Sequence, residues 1–522
     1  MARERGGLSR RGFIGAGVAL GVGAGAVALG GAKYLGTVPP GRLLASRRPL
    51  PRAFEQPLRL PPVLKPTRTD ATTDYYEIVQ RAADLEILPG ARTTAWTYGG
   101  TFPGPTITSR SGRRTVVRHR NELPRPVVVH LHGGHTPHDS DGYPGDEILP
   151  PGGRPTMAMG GHAMPGNPVM GHRDYTFPMD QRAATLWYHD HRMGFTGASV
   201  WRGLAGFHLV HDDEEERLPL PRGDRDIPLM IADRSFEADG AFRYPSIDRT
   251  LATVPGVHAA HMNGVLGDVI LVNGVPWPVH PVQRLRYRLR LLNASNARNY
   301  RLALDPPPPG GQGMVQIGSD GGLLERPIAH EGIDAAPAER FDVVVDFARY
   351  RPGTRVRLVN LLGSGRTREV MAFDVSSSAK APREDATVPA RLSRIPRLDP
   401  AKAAVTRTFL LQKRGSSWQI NGRDYEPGRP LARPKLGQLE LWRFVTDLHH
   451  PIHLHLDHFQ VVGRGTRGLG PSDHGWKDTM DLRPAEAAEV AVRFTDYPGS
   501  FVFHCHNLEH EDMAMMADFT TE

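Results

Sequence analysis

The sequence predicts an all-β protein built from about three domains. Length, turn chemistry and a repeated motif carry that prediction. At roughly 100–200 residues per domain, a chain of 522 residues holds about three cores. It contains 57 Gly and 47 Pro, and long stretches of amphipathic helical periodicity are hard to find. Short strands joined by many turns suit that balance. With 39% hydrophobic and 23% charged residues, the composition is that of an ordinary globular protein.

The β texture begins at Tyr75. Glu77-Ile78-Val79, Thr115-Val116-Val117-Arg118 and Val127-Val128-Val129 are short apolar or β-branched runs, punctuated by turn clusters such as Phe102-Pro103-Gly104-Pro105. A second block opens near Asp226 with Pro228-Leu229-Met230-Ile231-Ala232. It continues through Leu271-Val272-Asn273-Gly274, Tyr287–Leu291 and Phe341–Phe347. Residues 376–404, rich in Ser, Pro, Arg and Ala, read as a connector, and a third β block runs from about Arg407 to Phe519. The expected division is an N-terminal extension over 1–50, domains over 51–212 and 213–380, a linker over 381–404, and a last domain over 405–522.

The N-terminus reads as an address. Ser9-Arg10-Arg11-Gly12-Phe13-Ile14 begins a twin-arginine pattern, and the weakly hydrophobic, glycine-rich stretch Gly15–Gly31 follows it. Twin arginines before a modest apolar segment resemble a bacterial signal for export of folded proteins. The expected location is therefore extracellular or in the cell envelope. The glycines make the segment a poor permanent membrane span, so no stable membrane partner is expected. The net charge of +8 is concentrated here, because residues 1–50 hold eight Arg and Lys against one Glu. No dense basic run remains elsewhere, which argues against a nucleic-acid partner.

The repeat carries the chemistry. His130-Leu131-His132 and His189-Asp190-His191 lie 59 residues apart in the first block, counted from first His to first His. His453-Leu454-His455 and His504-Cys505-His506 lie 51 residues apart in the third. The middle block has no His-x-His pair. On a strand, residues i and i+2 share a face, so each pair can aim two imidazoles at one place. One such pair is commonly a surface feature, whereas four pairs in two spaced sets point to a metal. The simplest picture is three related β domains, the outer two supplying ligands to a shared site.

Cys505 is the sole cysteine, which excludes an intrachain disulfide. On an extended strand it faces away from His504 and His506, and so belongs to a second site back to back with theirs. A thiolate, two imidazoles and a distant thioether form a blue-copper set. Cys505 and His510 supply two ligands, and Met515 is the candidate weak axial one. His450 can supply the second imidazole, since it stands an odd number of residues from His453 and His455, although Pro451 distorts that alternation. A Cys-His₂ zinc site would keep an open position for water. Zinc gives no reason for eight further imidazoles joined through one strand to that cysteine. Copper does: one ion accepts electrons singly from a reductant, and an adjoining cluster collects the four that reduce dioxygen to water.

Four stretches together resemble the multicopper oxidases: His130-Leu131-His132-Gly133, Trp187-Tyr188-His189-Asp190-His191, His450-Pro451-Ile452-His453-Leu454-His455, and His504 through Met515. Within that family the chain is most similar to bacterial spore-coat laccases, bilirubin oxidases and phenoxazinone synthases. The resemblance implies three cupredoxin-like Greek-key β-barrels and four copper ions. It gives His450, Cys505, His510 and Met515 to the type 1 copper, and His130 and His453 to the type 2 copper. His132, His189, His191, His455, His504 and His506 fall to the type 3 pair. It also marks Asp141 and Glu511 as proton carriers. The bland alternative is that these carboxylates only orient histidines. The implied partners are dioxygen and a small aromatic reductant such as a phenol or aminophenol.

His135, His138 and His458 sit among the ligands without matching the pattern, and are expected to be supporting or surface groups. The segment Met157-Ala158-Met159-Gly160-Gly161-His162-Ala163-Met164, continuing to Met170 and His172, offers soft thioethers suited to Cu(I). No fixed ligand spacing appears in it, so a flexible loop is the expectation. The competing functions are a cuprous or metal-ion oxidase using that loop, and a copper-binding protein without turnover.

Overall fold

The computed structural model describes residues 40–157, 164–378 and 382–522. The twin-arginine pattern and Gly15–Gly31 lie outside the described residues. Strand after strand shows the alternation that half-buried β structure requires. In Thr73–Leu85, Tyr76, Ile78 and Gln80 are buried while Glu77 and Arg81 are exposed. Strands rather than helices dominate, and among the described residues the six larger sheets fall into three pairs, beside two two-stranded ones.

The first pair joins a sheet around Thr73–Leu85 and Arg114–Asn121 to a four-stranded one. The latter runs Gly104–Arg110, Ala205–His211, Ala184–Asp190, Val129–His132. Tyr98, Ile107, Val117, Tyr175 and Leu186 fill the space between them. The middle pair has seven and five strands around Ile227, Leu289, Phe341, Val343, Val356 and Phe373. The last pair sets a five-stranded sheet against the order Thr479–Leu482, His450–Leu454, Gly499–Cys505, Met516–Thr521. Phe409, Trp442, Phe444, Phe503 and Phe519 pack between these two sheets.

Two stretches are more tied down than the sequence suggests. Arg42–Leu44, counted above within the N-terminal extension, pairs in parallel with Val265–Gly267 of the middle domain. The Ser46 hydroxyl donates to Asp268 Oδ1 at 2.5 Å. The linker also binds its neighbours: Glu384 accepts from the Arg286 amide at 2.6 Å, and the Leu392 amide donates to the Glu325 carbonyl at 2.9 Å. Periodicity cannot reveal such segments, because they are held by distant parts of the chain and are too short or irregular to show a repeat of their own. Among the described residues no helix is long and apolar enough to cross a membrane.

Register decides where the histidines go. Val129–His132 pairs antiparallel with Ala184–Asp190, setting His130 opposite His189. His450–Leu454 pairs antiparallel with Gly499–Cys505, setting His453 opposite His504 and Ile452 opposite Cys505. Directly opposed residues share a face, so the pairs arrive side by side. After Cys505 the chain turns into the short helix Leu508–Asp512. The Asn507 side chain caps it by accepting from the Glu509 amide. That turn carries His510 back toward Cys505.

Candidate metal centre

Twelve candidate ligands lie in the interior, and eleven of them gather into groups of donor atoms within 4.8 Å of one another. His130 and His453 stand closest on one side, their Nε2 atoms 3.3 Å apart. His130 Nδ1 donates to the Asp141 carbonyl at 2.6 Å, and His453 Nδ1 donates to the Asp478 carbonyl at 2.9 Å. Those bonds place the ring protons outward, so two Nε2 lone pairs face each other. Bare, they repel; a cation between them satisfies both.

The remaining six histidines divide into two triads, His132–His189–His506 and His191–His455–His504. In the second, His504 Nε2 lies 3.1 Å from His191 Nε2 and 3.3 Å from His455 Nε2. In the first, His189 Nδ1 donates to the Asp190 carbonyl at 2.9 Å, leaving its Nε2 unpartnered. His132 Nδ1 and both ring nitrogens of His506 are likewise buried without a hydrogen bond. Buried polar atoms are nearly always satisfied, so this concentration of orphans marks a site built for a metal. Burial, reinforced by neighbouring imidazoles, pushes His130, His132, His453 and His455 well below the ordinary histidine range. Neutral rings can offer lone pairs.

Cys505 belongs to the separate group. Its Sγ lies 3.4 Å from His450 Nδ1 and 3.5 Å from His510 Nδ1, and those two nitrogens are 3.2 Å apart. Met515 is fully buried in the same core cluster, and its carbonyl accepts from the Cys505 amide at 3.0 Å. Burial, with the nearby carboxylates of Glu511, Asp481 and Glu509 adding to it, pushes the thiol well above its ordinary value. A soft cation is what would stabilise the thiolate there. His450 does face away from His453, despite Pro451, because both lie in one continuous strand.

Both predicted carboxylates lie against a candidate ligand histidine. Asp141 Oδ2 accepts from His455 Nδ1 at 2.7 Å, while its Oδ1 is unpartnered. Burial holds the Asp141 carboxyl up at about 7. Glu511 Oε2 lies 3.1 Å from His504 Nδ1. Burial would raise this carboxyl too, but His504 and His191 outweigh it and hold the group well below the usual range.

His135, His138 and His458 stand outside all the metal-capable groups among the described residues. His135 bridges Asp457 at 3.2 Å and Asp496 at 2.7 Å. Burial opposes its charge, but these two carboxylates prevail and hold it up at about 9. The His138 ring packs edge-on against Tyr143 and Phe501. His458 Nε2 lies 3.6 Å from Asp478 Oδ2. In the Met/His segment, Met157 and Met170 are exposed, Met164 packs beside Tyr143 and Met193, and His172 begins a strand. Met159 and His162 lie outside the described residues.

Sequence reasoning missed several contacts at the centre. Asp478 Oδ1 accepts from His132 Nε2 at 3.1 Å. Asp447 Oδ1 lies 3.2 Å from His450 Nε2, an i,i+3 spacing that could have drawn notice. Trp418 stacks on His510 with ring centroids 3.6 Å apart, and Trp187 stacks on His189 at 4.2 Å. Trp187 stood inside a quoted motif without a role.

Residues 397–522 match a family model described as multicopper oxidase, and residues 81–163 and 154–215 match a second with the same description. The chain belongs to the multicopper oxidases. It is 37% identical to a laccase of Bacillus stratosphericus over 89% of this chain and 98% of that one. A bilirubin oxidase of Albifimbria verrucaria is 34% identical over 89% of this chain and 81% of its own. Among solved structures, the laccase of Pediococcus acidilactici superposes with a TM-score of 0.78 at 31% identity, covering 92% of this chain and 96% of that one. The 2F4 variant of the McoA multicopper oxidase of Aquifex aeolicus gives 0.74 at 30% identity, covering 90% and 99%. This multicopper oxidase is a copper-dependent, laccase-like oxidoreductase that uses dioxygen as acceptor. Its cofactor is four copper ions, one type 1, one type 2 and two type 3, and the donor sets above fit them.

Proposed function

We propose that this enzyme oxidises phenols, aminophenols or related aromatics one electron at a time. His450, Cys505, His510 and Met515 hold the type 1 copper, and His130 and His453 the type 2 copper. The triads His132–His189–His506 and His191–His455–His504 hold the type 3 pair. Bound copper supplies reversible one-electron chemistry at the first site and four-electron reduction of dioxygen at the cluster. The observation that carries the reading is the strand Gly499–Cys505 with His506 after it. Its thiol belongs to one donor group, and the histidines on either side belong to the two triads. Two peptide links thus give a short covalent path from the electron-accepting group to both halves of the cluster.

The remaining roles belong to the protein. Asp141 and Glu511 orient His455 and His504 through their outer nitrogens, and each is a candidate to pass protons to the oxygen-reducing cluster. Asp447, about one-third exposed, connects the buried His450 to the surface, and substrate is expected to approach there.

Oxygen uptake by the copper-loaded enzyme, with o-aminophenol or Cu(I) at matched concentration, tests the donor. Rapid uptake with o-aminophenol and little with Cu(I) is expected. The reverse would replace the aromatic donor with Cu(I) and turn attention to Met157, Met164 and Met170.

The segment Ser9–Ile14 with Gly15–Gly31 supports export in the folded, copper-loaded state through a twin-arginine route. Replacing Arg10 and Arg11 together with Lys should trap the enzyme inside the producing cell. Unchanged export of that variant would reject the route.

A further inference from the structure

The middle domain contributes no copper ligand, yet a buried ion pair links it to a residue that touches the cluster. Arg340 opens the strand Arg340–Asp346 of that domain and is fully buried. Its Nη1 donates to Asp478 Oδ1 at 2.7 Å, and its Nη2 bonds Asp478 Oδ2. Two parallel bonds between a guanidinium and a carboxylate fix both planes. Arg340 is itself held, since its Nε donates to the Thr185 carbonyl and its Nη1 to the Ala338 carbonyl, each at 3.0 Å. Asp320 braces the same corner. Its Oδ1 accepts from the Arg340 amide at 2.8 Å, and its Oδ2 lies 3.1 Å from Lys477 Nζ.

Asp478 faces two ligand histidines from two domains. Its Oδ1 accepts from His132 Nε2, which leaves the lone pair of His132 Nδ1 pointing inward. Its carbonyl accepts from His453 Nδ1, which leaves Nε2 facing His130. His132 and His453 also stack, with centroids 3.6 Å apart. The packing is tight where Gly133 meets the ion pair. A Cβ added to Gly133 (φ +85°) would lie 2.6 Å from Arg340 Nη2 and 2.8 Å from Asp478 Oδ2. A glycine directly after a ligand histidine is therefore what admits the ion pair.

We propose that Arg340 is a positioning residue for the copper cluster, fixing through Asp478 the proton placement and ring orientation of His132 and His453. A polar group that orients a metal-binding histidine is worth 10–100-fold in metal affinity or activity. An arginine acting on two ligands at once, each on a different copper, belongs in that range. The inference rests on the assignment of those histidines to the cluster.

The test compares wild type with Arg340→Met and Arg340→Lys by copper count, the type 2 paramagnetic resonance signal and the blue absorption of the type 1 site. The blue absorption reports on the separate group around Cys505, which Arg340 does not touch, and serves as a folding control. Arg340→Met should keep the blue absorption while the type 2 signal is lost or altered, and kcat should fall about 10–100-fold. Arg340→Lys, which restores charge but not the fork, should recover only part of both. A merely structural arginine would move thermal stability and leave the resonance signal unchanged. If Arg340→Met does not fold, Asp478→Asn decides, since it keeps the side-chain shape and removes the anion. An unaltered cluster signal and kcat within twofold of wild type in the folded variant overturn the proposal. Absence of a type 2 signal in wild type would instead overturn the ligand assignment.

Discussion

Cys505→Ser will lose the blue absorption and one copper per chain while the other three remain. Turnover with o-aminophenol will fall by more than about 100-fold, beyond what the loss of an orienting contact costs. The thiol is fully buried, between His450 Nδ1 at 3.4 Å and His510 Nδ1 at 3.5 Å. A serine hydroxyl fits the space but does not provide a soft anionic donor at neutral pH. The triads draw on other side chains, so their copper should stay. Metal analysis and optical spectra of the purified variant check this. Loss of all four coppers together would show one cooperative site rather than two.

Asp141→Asn should fail at a different stage. The carboxylate accepts from His455 Nδ1 at 2.7 Å, and the backbone carbonyl of the same residue accepts from His130 Nδ1 at 2.6 Å. An amide keeps the shape and the carbonyl contact. It removes the charge that holds the His455 proton outward. We expect kcat to drop about 10–100-fold. Bleaching of the blue absorption by o-aminophenol without oxygen should keep its wild-type rate, because that step uses the group around Cys505. Rapid-mixing spectra separate the two stages. Equal slowing of bleaching would place Asp141 in substrate oxidation instead.

Much of this was legible in the sequence because the signals are local. Alternation along a strand makes a His-x-His pair readable as two donors on one face. The offset between Cys505 and its flanking histidines makes two sites readable from three consecutive residues. Turn-rich spacing gave the β class, and the family resemblance supplied the barrels. Contacts set by tertiary packing were invisible. Arg340 and Asp478 are 138 positions apart, and nothing in either neighbourhood announces a pairing. Trp418 reaches His510 from a strand without a motif. Arg42–Leu44 looked like export sequence because it is short and lies among basic residues. It is a strand only because Val265–Gly267 offers an edge.

The most direct measurement is the ratio of o-aminophenol electrons consumed to dioxygen consumed by the four-copper enzyme, with peroxide followed in the same vessel. A thiol strand joined to both triads predicts four electrons per dioxygen and no peroxide. Two electrons per dioxygen with matching peroxide would mean that the triads do not act as one cluster, contradicting the coupling through His504-Cys505-His506.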